Sequence, residues 1–203
     1  MQVNALERGR SVILDASQML VALADQLDES FSQAVDLLAN CQGHVITSGV
    51  GTSGMIARRL AHLLSNVGCP ALFLHAGDSL HGSSGAVRVQ DVLVILSKSG
   101  ETMETVKLAR IVAERGAPMV VLTARLDSTL GRLSSVALRV ETPAEMDPYD
   151  GLMSVGSTLA MGALCDALVF AVMDITGATK KQFLDGHPGG VVAHLNKKAS
   201  HSP

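Results

Sequence analysis

Two glycine-containing loops carry the residues best suited to chemistry in this sequence. The first loop spans residues 48–54 (SGVGTSG) and the second spans residues 97–102 (SKSGET), and each lies between a short apolar run and a helical pattern. Glycine allows the backbone to approach a ligand closely. The free N–H groups and the positive dipole end at the start of a helix favour an anion. The two loops therefore predict an anion-binding site.

The first loop, taken by itself, is compatible with two kinds of ligand. Residues 49–54 match the GxGxxG pattern of dinucleotide-binding folds. That function also requires an acidic residue at the end of the second strand to bind a ribose, and Asp78 is a late candidate for it. A simple phosphate needs no such residue. This loop alone does not decide between a nucleotide and a simple phosphate.

The second loop favours a simple phosphate monoester. The hydroxyl groups of Ser97, Ser99 and Thr102 converge with several backbone N–H groups, without the GxxxxGK[ST] spacing of a P-loop. An ordinary helix start is the alternative, with Ser99 or Thr102 as the N-cap and Glu101 interacting favourably with the helix dipole. Two anion-suited loops after neighbouring strands weigh against that alternative.

The elements that must position these loops follow an alternating strand and helix pattern. Continuous apolar runs are typical of strands covered on both faces, and the segments between them fit right-handed crossovers of a parallel sheet. We therefore expect an α/β fold: a three-layer, doubly wound sandwich around a five-stranded parallel sheet. The predicted strands are 44–48, 71–75, 91–97, 118–123 and 136–140, and the predicted helices are two within 5–41, then 53–67, 102–115, 127–133, 152–176 and 178–185.

Length and composition set further limits on the architecture. A chain of 203 residues suits one domain, so residues 1–203 are predicted to form a single domain with a flexible tail at 196–203. Apolar residues make up 47% of the chain and charged residues only 17%, which favours an oligomer that covers part of the surface.

Charge, aromatic content and cysteine usage argue against several classes of partner. A net charge of −3 and a single Tyr, without Trp, argue against nucleic-acid binding. The sequence has no uninterrupted run of ~20 apolar residues, so no membrane span is expected. The N-terminus lacks the apolar run of a signal peptide, and the three cysteines lack metal-ligand spacing. We expect a cytoplasmic protein that binds neither membrane nor nucleic acid.

The two loops also carry a resemblance to a known family. GVGTSG and SKSGET resemble the sugar isomerase (SIS) phosphosugar-binding domain, and the resemblance continues through LHAGDSLHG (74–82), DAL (166–168) and GHPGG (186–190). It covers residues 5–195 and is closest to the bacterial arabinose-5-phosphate isomerases without their cystathionine-β-synthase-type modules. The resemblance implies an SIS-type fold with a flavodoxin-like strand order.

The resemblance also implies which residues hold the phosphate. Two positions depart from the arabinose-5-phosphate isomerase pattern: Thr52 stands where those enzymes usually have lysine, and the segment 144–158 is about one residue longer. By position, the hydroxyl groups of the phosphate site belong to Ser53, Ser97, Ser99 and Thr102, with backbone help from Gly51, Thr52 and Lys98.

Acid and base candidates follow from the chemistry of aldose–ketose isomerisation. Ring opening and proton transfer between neighbouring carbons need groups that titrate near neutrality or carboxylates poised by their surroundings. The candidates are His81 and His187, which lie in glycine-rich loops, and the carboxylates of Glu104 and Glu145. The resemblance also places Asp166 in or near the site. Non-catalytic alternatives stay open for the three carboxylates: Glu104 as a helix-dipole partner, Glu145 as a solvated loop residue and Asp166 as a buried hydrogen-bonding residue.

The sequence as a whole predicts a sugar-phosphate isomerase. The expected pair is arabinose 5-phosphate and ribulose 5-phosphate, interconverted through a cis-enediol without cofactor or metal. The alternatives are a 6-phospho-3-hexuloisomerase and a phosphosugar sensor without turnover. The resemblance implies a homotetramer. Because one domain does not easily enclose a small sugar, we expect neighbouring subunits to complete the site through the N-terminal helices and helix 152–176.

Overall fold

The centre of the molecule is a five-stranded parallel sheet. The computed structural model describes residues 4–189, and the predicted tail at 196–203 lies outside them. The strands occur in the order β2-β1-β3-β4-β5, which is the predicted flavodoxin-like order. They are β1 (Val45–Gly49), β2 (Ala71–Phe73), β3 (Val92–Leu96), β4 (Met119–Thr123) and β5 (Val136–Arg139).

Helices cover both faces of this sheet. The predicted α/β sandwich of three layers is therefore confirmed, and each predicted strand is found within two residues of its predicted bounds. The helices are α1 (Ala5–Ala24), α2 (Glu29–Ala39), α3 (Gly51–Ser65), α4 (Ala76–Ser79), α5 (Met103–Glu114), α6 (Thr129–Leu133), α7 (Gly156–Thr176) and α8 (Lys180–Asp185), with 3₁₀ turns at Ser83–Ala86 and Ala144–Met146.

Strand β3 shows why a continuous apolar run forms a central strand. Successive side chains of a strand point to opposite faces, so Val94 and Leu96 enter one hydrophobic core while Leu93 and Ile95 enter the other. The first core lies against α1, α2, α3 and α7, and the second lies against α5 and α6. All five residues of β3 are buried.

Each of the two N-terminal helices begins at a side chain that caps it. Asn4 caps α1 by accepting a hydrogen bond from the Glu7 N–H, and Asp28 caps α2 by accepting one from the Ser30 N–H. Only one side of α1 packs on the protein, through Met19 and Leu23. A second apolar set on α1 remains exposed within this single chain: Leu6, Ile13, Leu14 and Val21.

Helix α7 is the longest helix of the core, and it begins four residues later than predicted. The N–H groups of Val155 and Ser157 both bond to the carboxylate of Asp147, which fixes the helix start at Gly156 rather than at residue 152. By length and a hydropathy of 1.8, α7 would pass as a membrane span, and no other helix among residues 4–189 does. A core helix passes the same test, and ten of its residues are buried in this fold.

The strand order brings the two glycine-containing loops together. β1 pairs in parallel with both β2 and β3, so the chain reverses its direction across the sheet between β1 and β3. Crevices outside the carboxyl ends of strands at such a switch point are the usual ligand sites of doubly wound folds. The loops after β1 and β3 form that crevice here.

Candidate functional site

The loop after β1 is held in a tight turn by the close approach of two glycines. A Cβ atom on Gly54 would lie 2.8 Å from the carbonyl oxygen of Gly49, so no larger residue fits there without a shift of the backbone. The N-cap of α3 is Val50, whose side chain makes no capping hydrogen bond. The first N–H groups of α3 are therefore left without a side-chain cap, which suits an anion.

The loop after β3 presents hydroxyl groups instead of an ordinary helix cap. Thr102 is the N-cap of α5, but its side chain makes no capping bond; its Oγ1 lies 3.2 Å from Oγ of Ser97. The Ser99 hydroxyl accepts a hydrogen bond from the Glu101 N–H within the loop. The alternative that Ser99 or Thr102 serves only to cap α5 is therefore wrong.

Glu101 fastens this loop to α6 rather than to the start of α5. Its carboxylate accepts a 2.7 Å hydrogen bond from the Thr129 N–H. That bond lowers the pKa of Glu101. The carboxylate therefore ties the outer side of the loop to the neighbouring element and does not point towards an anion in the crevice.

Gly100 locks the same loop against the start of α6. Its φ of +66° lies in the left-handed region, and its N–H donates to the carbonyl of Ser97. A Cβ atom there would overlap the Ser128 side chain, at 2.0 Å from Oγ and 2.5 Å from Cβ. Ser128 itself caps α6 by accepting from the Gly131 N–H. The geometry of the SKSGET loop thus depends on glycine at this position.

The two loops enclose a pocket of about 440 Å³. All seven residues predicted for phosphate binding line it, so the structure brings that set together, and their role stays a prediction. Sequence reasoning missed Gly151 and Ser154, which complete the wall from the segment after β5. The pocket is lined by Val50, Gly51, Thr52, Ser53, Leu96, Ser97, Lys98, Ser99, Thr102, Gly151 and Ser154.

Lys98 is the charged side chain that lines this pocket among the described residues. Its ammonium group donates to Oδ2 of Asp147 at 2.6 Å and to the carbonyl of Gly151 at 3.0 Å. The Asp147 side chain is 1% exposed. Burial alone would raise the pKa of Asp147, but the Lys98 ammonium and the hydrogen bonds from Ser157 and Val155 outweigh burial and lower it. Asp147 therefore stays ionised in this buried position.

The five predicted catalytic residues lie outside this pocket in the single chain. His81 follows α4, is exposed and donates its backbone N–H to Asp78. Glu104 lies in the first turn of α5, against which α4 packs. These two are thus at the carboxyl edge of the sheet, near the pocket, and both keep their predicted roles as hypotheses.

Glu145 and Asp166 belong to other surroundings. Glu145 lies in the 3₁₀ turn after β5 and lines a separate pocket of about 400 Å³ beside α1. Asp166 forms a two-point ion pair with Arg59 of α3, at 2.6 and 3.1 Å. Asp166 therefore has the predicted hydrogen-bonding role, but its side chain is 41% exposed, so the prediction that it is buried in the core is wrong. Neither residue lines the pocket between the two glycine-containing loops.

His187 lies at the opposite end of the molecule. α3 and α7 run side by side in the same direction, since Ser53 meets Met161 at one end and Thr176 bonds to Val67 at the other. α7 therefore carries the chain about 30 Å away from the pocket before α8 begins. The His187 ring packs on Phe183, and its Nδ1 lies 2.6 Å from the Phe183 carbonyl, which leaves Nε2 available.

A larger groove, of about 600 Å³, lies at the amino edge of the sheet between α2 and the starts of three strands. It contains no glycine-containing loop and no uncapped start of a long helix, so it lacks the features that recognise an anion. Its lining includes Leu37, Val92, Pro118 and Val136. The smaller pocket at the carboxyl edge is therefore the candidate active site.

Comparison with known sequences decides the family. A profile of the SIS domain matches residues 37–171, which is more than half of the chain. The chain belongs to the SIS domain family. The arabinose 5-phosphate isomerase KdsD of Salmonella typhi is 33% identical over 186 residues, which is 92% of this chain but 56% of that protein. The chain thus spans about half the length of the curated relatives it matches.

Solved structures agree with this family. A Listeria monocytogenes protein superposes with a TM-score of 0.87 and 29% identity, over 93% of this chain and all of that one. An Escherichia coli CFT073 protein in complex with A5P superposes with a TM-score of 0.86 and 26% identity, over 92% of this chain and all of that one.

The dinucleotide alternative loses its support, because β2 ends at Phe73 and Asp78 lies five residues beyond it, within α4.

Proposed function

We propose that this SIS domain isomerises a sugar phosphate between its aldose and ketose forms through a cis-enediol, with arabinose 5-phosphate and ribulose 5-phosphate as the substrate pair. The observation that carries the proposal is the hydroxyl-lined pocket at the switch point of the sheet. The relatives named arabinose 5-phosphate isomerases and the structural neighbour with bound A5P support the choice of ligand.

The phosphate end of the substrate sits between the two loops. Hydroxyl groups of Ser53, Ser97, Ser99 and Thr102 donate to the phosphate oxygens, together with N–H groups at the starts of α3 and α5. Hydrogen bonds of this kind to an ionised acceptor are the stronger ones in proteins. They hold the dianion in place and leave the sugar to extend from the crevice towards the acid and base groups.

Acid–base work at the sugar falls to groups at the rim of the crevice. His81 follows α4 and Glu104 lies in the first turn of α5, so both belong to elements at the carboxyl edge, and we propose them for the sugar end of the substrate. An imidazole suits ring opening because it exchanges a proton near neutral pH. A carboxylate suits the transfer between neighbouring carbons when its surroundings tune its pKa to the reaction. We assign the ring-opening role to a histidine and leave Glu104 and Glu145 as the carboxylates to compare.

His187 reaches a pocket only in a neighbouring subunit. α7 carries the chain about 30 Å from the pocket, and α8 covers only about 9 Å, which is too short to bring His187 back by itself. The exposed apolar side chains of Ile13 and Val21 on α1 and of Phe170 on α7 provide a surface for such a neighbour. The proposal therefore includes an oligomer, a tetramer by the family resemblance.

An isomerase assay tests the proposed reaction. Purified protein is offered arabinose 5-phosphate, ribulose 5-phosphate and hexulose 6-phosphates side by side. We expect turnover of the pentose pair, its loss in His81→Ala and His187→Ala, and about a tenfold rise of KM in Ser99→Ala. Ser134→Ala, which removes a hydroxyl bonded to Gly131 in α6, is the matched control. Turnover of hexulose 6-phosphates alone, or binding without turnover, would replace the proposal by one of the two alternatives.

Mixing two inactive variants tests the shared site. Ser97→Ala/Ser99→Ala removes two of the four hydroxyl groups assigned to the phosphate in one variant, and His187→Ala removes the imidazole in the other. When the two are co-refolded, a hybrid contains one pocket with both an intact phosphate loop and an intact neighbouring His187. Partial recovery of activity is the expected result, and a mixture no more active than its parents would show that His187 does not act across subunits.

A further inference from the structure

We propose that Lys98 and Asp147 form a pair that couples phosphate binding to the sugar side of the pocket: Lys98 binds the substrate phosphate directly, and Asp147 is a positioning residue that holds residues 148–154 in place through Lys98. Lys98 extends from the loop after β3, and Asp147 lies 49 positions later, beyond β5. The part of this inference that concerns turnover rests on the proposed isomerase function. The part that concerns phosphate binding is tested without any turnover.

The ammonium group of Lys98 has a donor left for a ligand. Two of its three N–H groups are used, one by the Asp147 carboxylate and one by the Gly151 carbonyl. The third has no partner among the described residues, and the side chain, 34% exposed, lines the pocket. Because Lys98 lines the same pocket as Ser97, Ser99 and Thr102, we infer that a phosphate held by those hydroxyl groups accepts from this third N–H.

Asp147 divides its two oxygens between two elements. Oδ1 accepts from the N–H groups of Val155 and Ser157 and so caps α7, whose own N-cap residue provides no side-chain bond. Oδ2 accepts from Lys98. A single buried carboxylate therefore connects the SKSGET loop to the start of α7. Residues 148–154 form the closed loop between Asp147 and Val155, whose N–H bonds back to Asp147.

The closed loop is a conformation that needs support. Tyr149, Asp150 and Gly151 have φ values of 57°, 56° and 86°, three consecutive residues in the left-handed region. Such residues persist only where their surroundings fix them. The bond from Lys98 to the Gly151 carbonyl provides one support, and the bond from the Gly151 N–H to the Asp147 carbonyl provides another. Gly151 and Ser154 line the pocket, and the inference assigns this wall to the sugar end of the substrate.

A purely structural ion pair and a coupling pair predict different results for Asp147→Asn. The variant keeps an Oδ1 acceptor for α7 but places an amide N–H₂ against the Lys98 ammonium. The loop then loses its anchor, while the full charge of Lys98 remains free for phosphate. We therefore expect inorganic phosphate to bind as tightly as in the wild type or up to severalfold tighter, while KM for arabinose 5-phosphate rises and kcat/KM falls at least about tenfold.

The matching change at Lys98 should weaken the binding of both ligands. In Lys98→Gln the direct contact with the phosphate is lost, so inorganic phosphate and the sugar phosphate should both bind at least about tenfold more weakly. Lys98→Arg keeps the charge and should restore most of the phosphate affinity. The double variant Lys98→Gln/Asp147→Asn, which leaves no unpaired charge, provides a folded form if either single variant is unstable.

The experiment is calorimetric titration of the whole protein with inorganic phosphate and with arabinose 5-phosphate, together with kcat and KM for each variant. Glu141→Gln, which breaks the exposed Arg139–Glu141 pair outside the pocket, is the control and should leave all values unchanged. Equal losses for both ligands in Asp147→Asn would overturn the positioning role, and a phosphate Kd within twofold of wild type in Lys98→Gln would overturn the direct contact. If the wild type turns over no sugar phosphate, the proposed function fails. The titrations with inorganic phosphate and arabinose 5-phosphate still show whether Lys98 contacts the phosphate and whether Asp147 affects only the sugar phosphate.

Discussion

Replacing Gly100 by alanine should destabilise the protein far more than the same change at Gly177. Both glycines have a φ of +66°, so both substitutions place a Cβ atom in the left-handed region, which costs about 1–2 kcal/mol. At Gly177 nothing lies within 4 Å of the new atom. At Gly100 the new atom overlaps the Ser128 side chain, at 2.0 Å from Oγ. The pair therefore separates backbone strain from crowding.

The free-energy cost of this crowding follows from the position and the capping bond of Ser128. Forcing an extra carbon into a packed site costs about 1–3 kcal/mol. Moving Ser128 also breaks its bond from the Gly131 N–H, and losing such an N-cap costs about 1 kcal/mol. We expect a loss of about 1–2 kcal/mol for Gly177→Ala and about 3–6 kcal/mol for Gly100→Ala. In a chain of this size, those losses correspond to a few degrees and to about 10 °C or more in Tm.

Urea unfolding at one fixed protein concentration measures both losses, because the stability of an oligomer depends on concentration. Adding Ser128→Gly removes both atoms that the new Cβ would overlap and also the cap bond, so Gly100→Ala should cost about 2–4 kcal/mol less in the Ser128→Gly background than in the wild type. Equal losses for the two glycine variants, or no difference between the two backgrounds, would refute the crowding argument. Phosphate affinity should fall in Gly100→Ala, since the SKSGET loop must move.

Three further outcomes follow from the described side chains. The pKa of Asp147 is lowered in the folded protein, so the stability that its carboxylate contributes is present above its unfolded pKa of ~3.9 and is lost as the pH falls through the folded pKa. Asp147→Asn should therefore lose less stability on acidification than the wild type does. Urea midpoints between about pH 3 and 6, the range of carboxylate titration, measure this difference. Burial raises the pKa of Cys69 and of Cys165 to about 12, so an Ellman's reagent titration of native protein near neutral pH should find both thiols unreactive, with Cys41 slow and all three reactive after denaturation. Ile13→Asp should lower the sedimenting mass and leave the fold intact, since that side chain is 71% exposed in one chain; an unchanged mass would remove α1 from the interface.

The fold and the phosphate loops were predictable because their signals are local. The apolar runs form the strands because a strand covered on both faces must be apolar throughout, as in β3. The loops at 48–54 and 97–102 were found because glycine and hydroxyl residues at a helix start carry a chemical meaning in themselves. The order of the strands then follows from doubly wound topology, which places both loops at one crevice.

The remainder of the site was not predictable because it depends on distant contacts. Asp147 appeared in the sequence only as part of a segment that departs from the family, with no sign that it meets Lys98 and caps α7. Helix α7 was predicted to begin at residue 152 because the apolar pattern extends that far, whereas the Asp147 carboxylate fixes its start. Asp166 was placed by a motif, and only the fold reveals that it pairs with Arg59.

The distance between the phosphate loops and His187 implies that binding and turnover have different requirements. The hydroxyl groups and N–H groups proposed to hold a phosphate all line one pocket of a single chain, so we expect a single subunit to be sufficient to bind it. Under the proposed function, the imidazole of His187 at the far end of α7 acts on that site only from a second subunit. A variant such as Ile13→Asp, if it separates the subunits, should therefore keep its affinity for inorganic phosphate and lose isomerase activity. Parallel loss of both would mean instead that the interface also shapes the phosphate loops, and that the pocket is not complete within one chain.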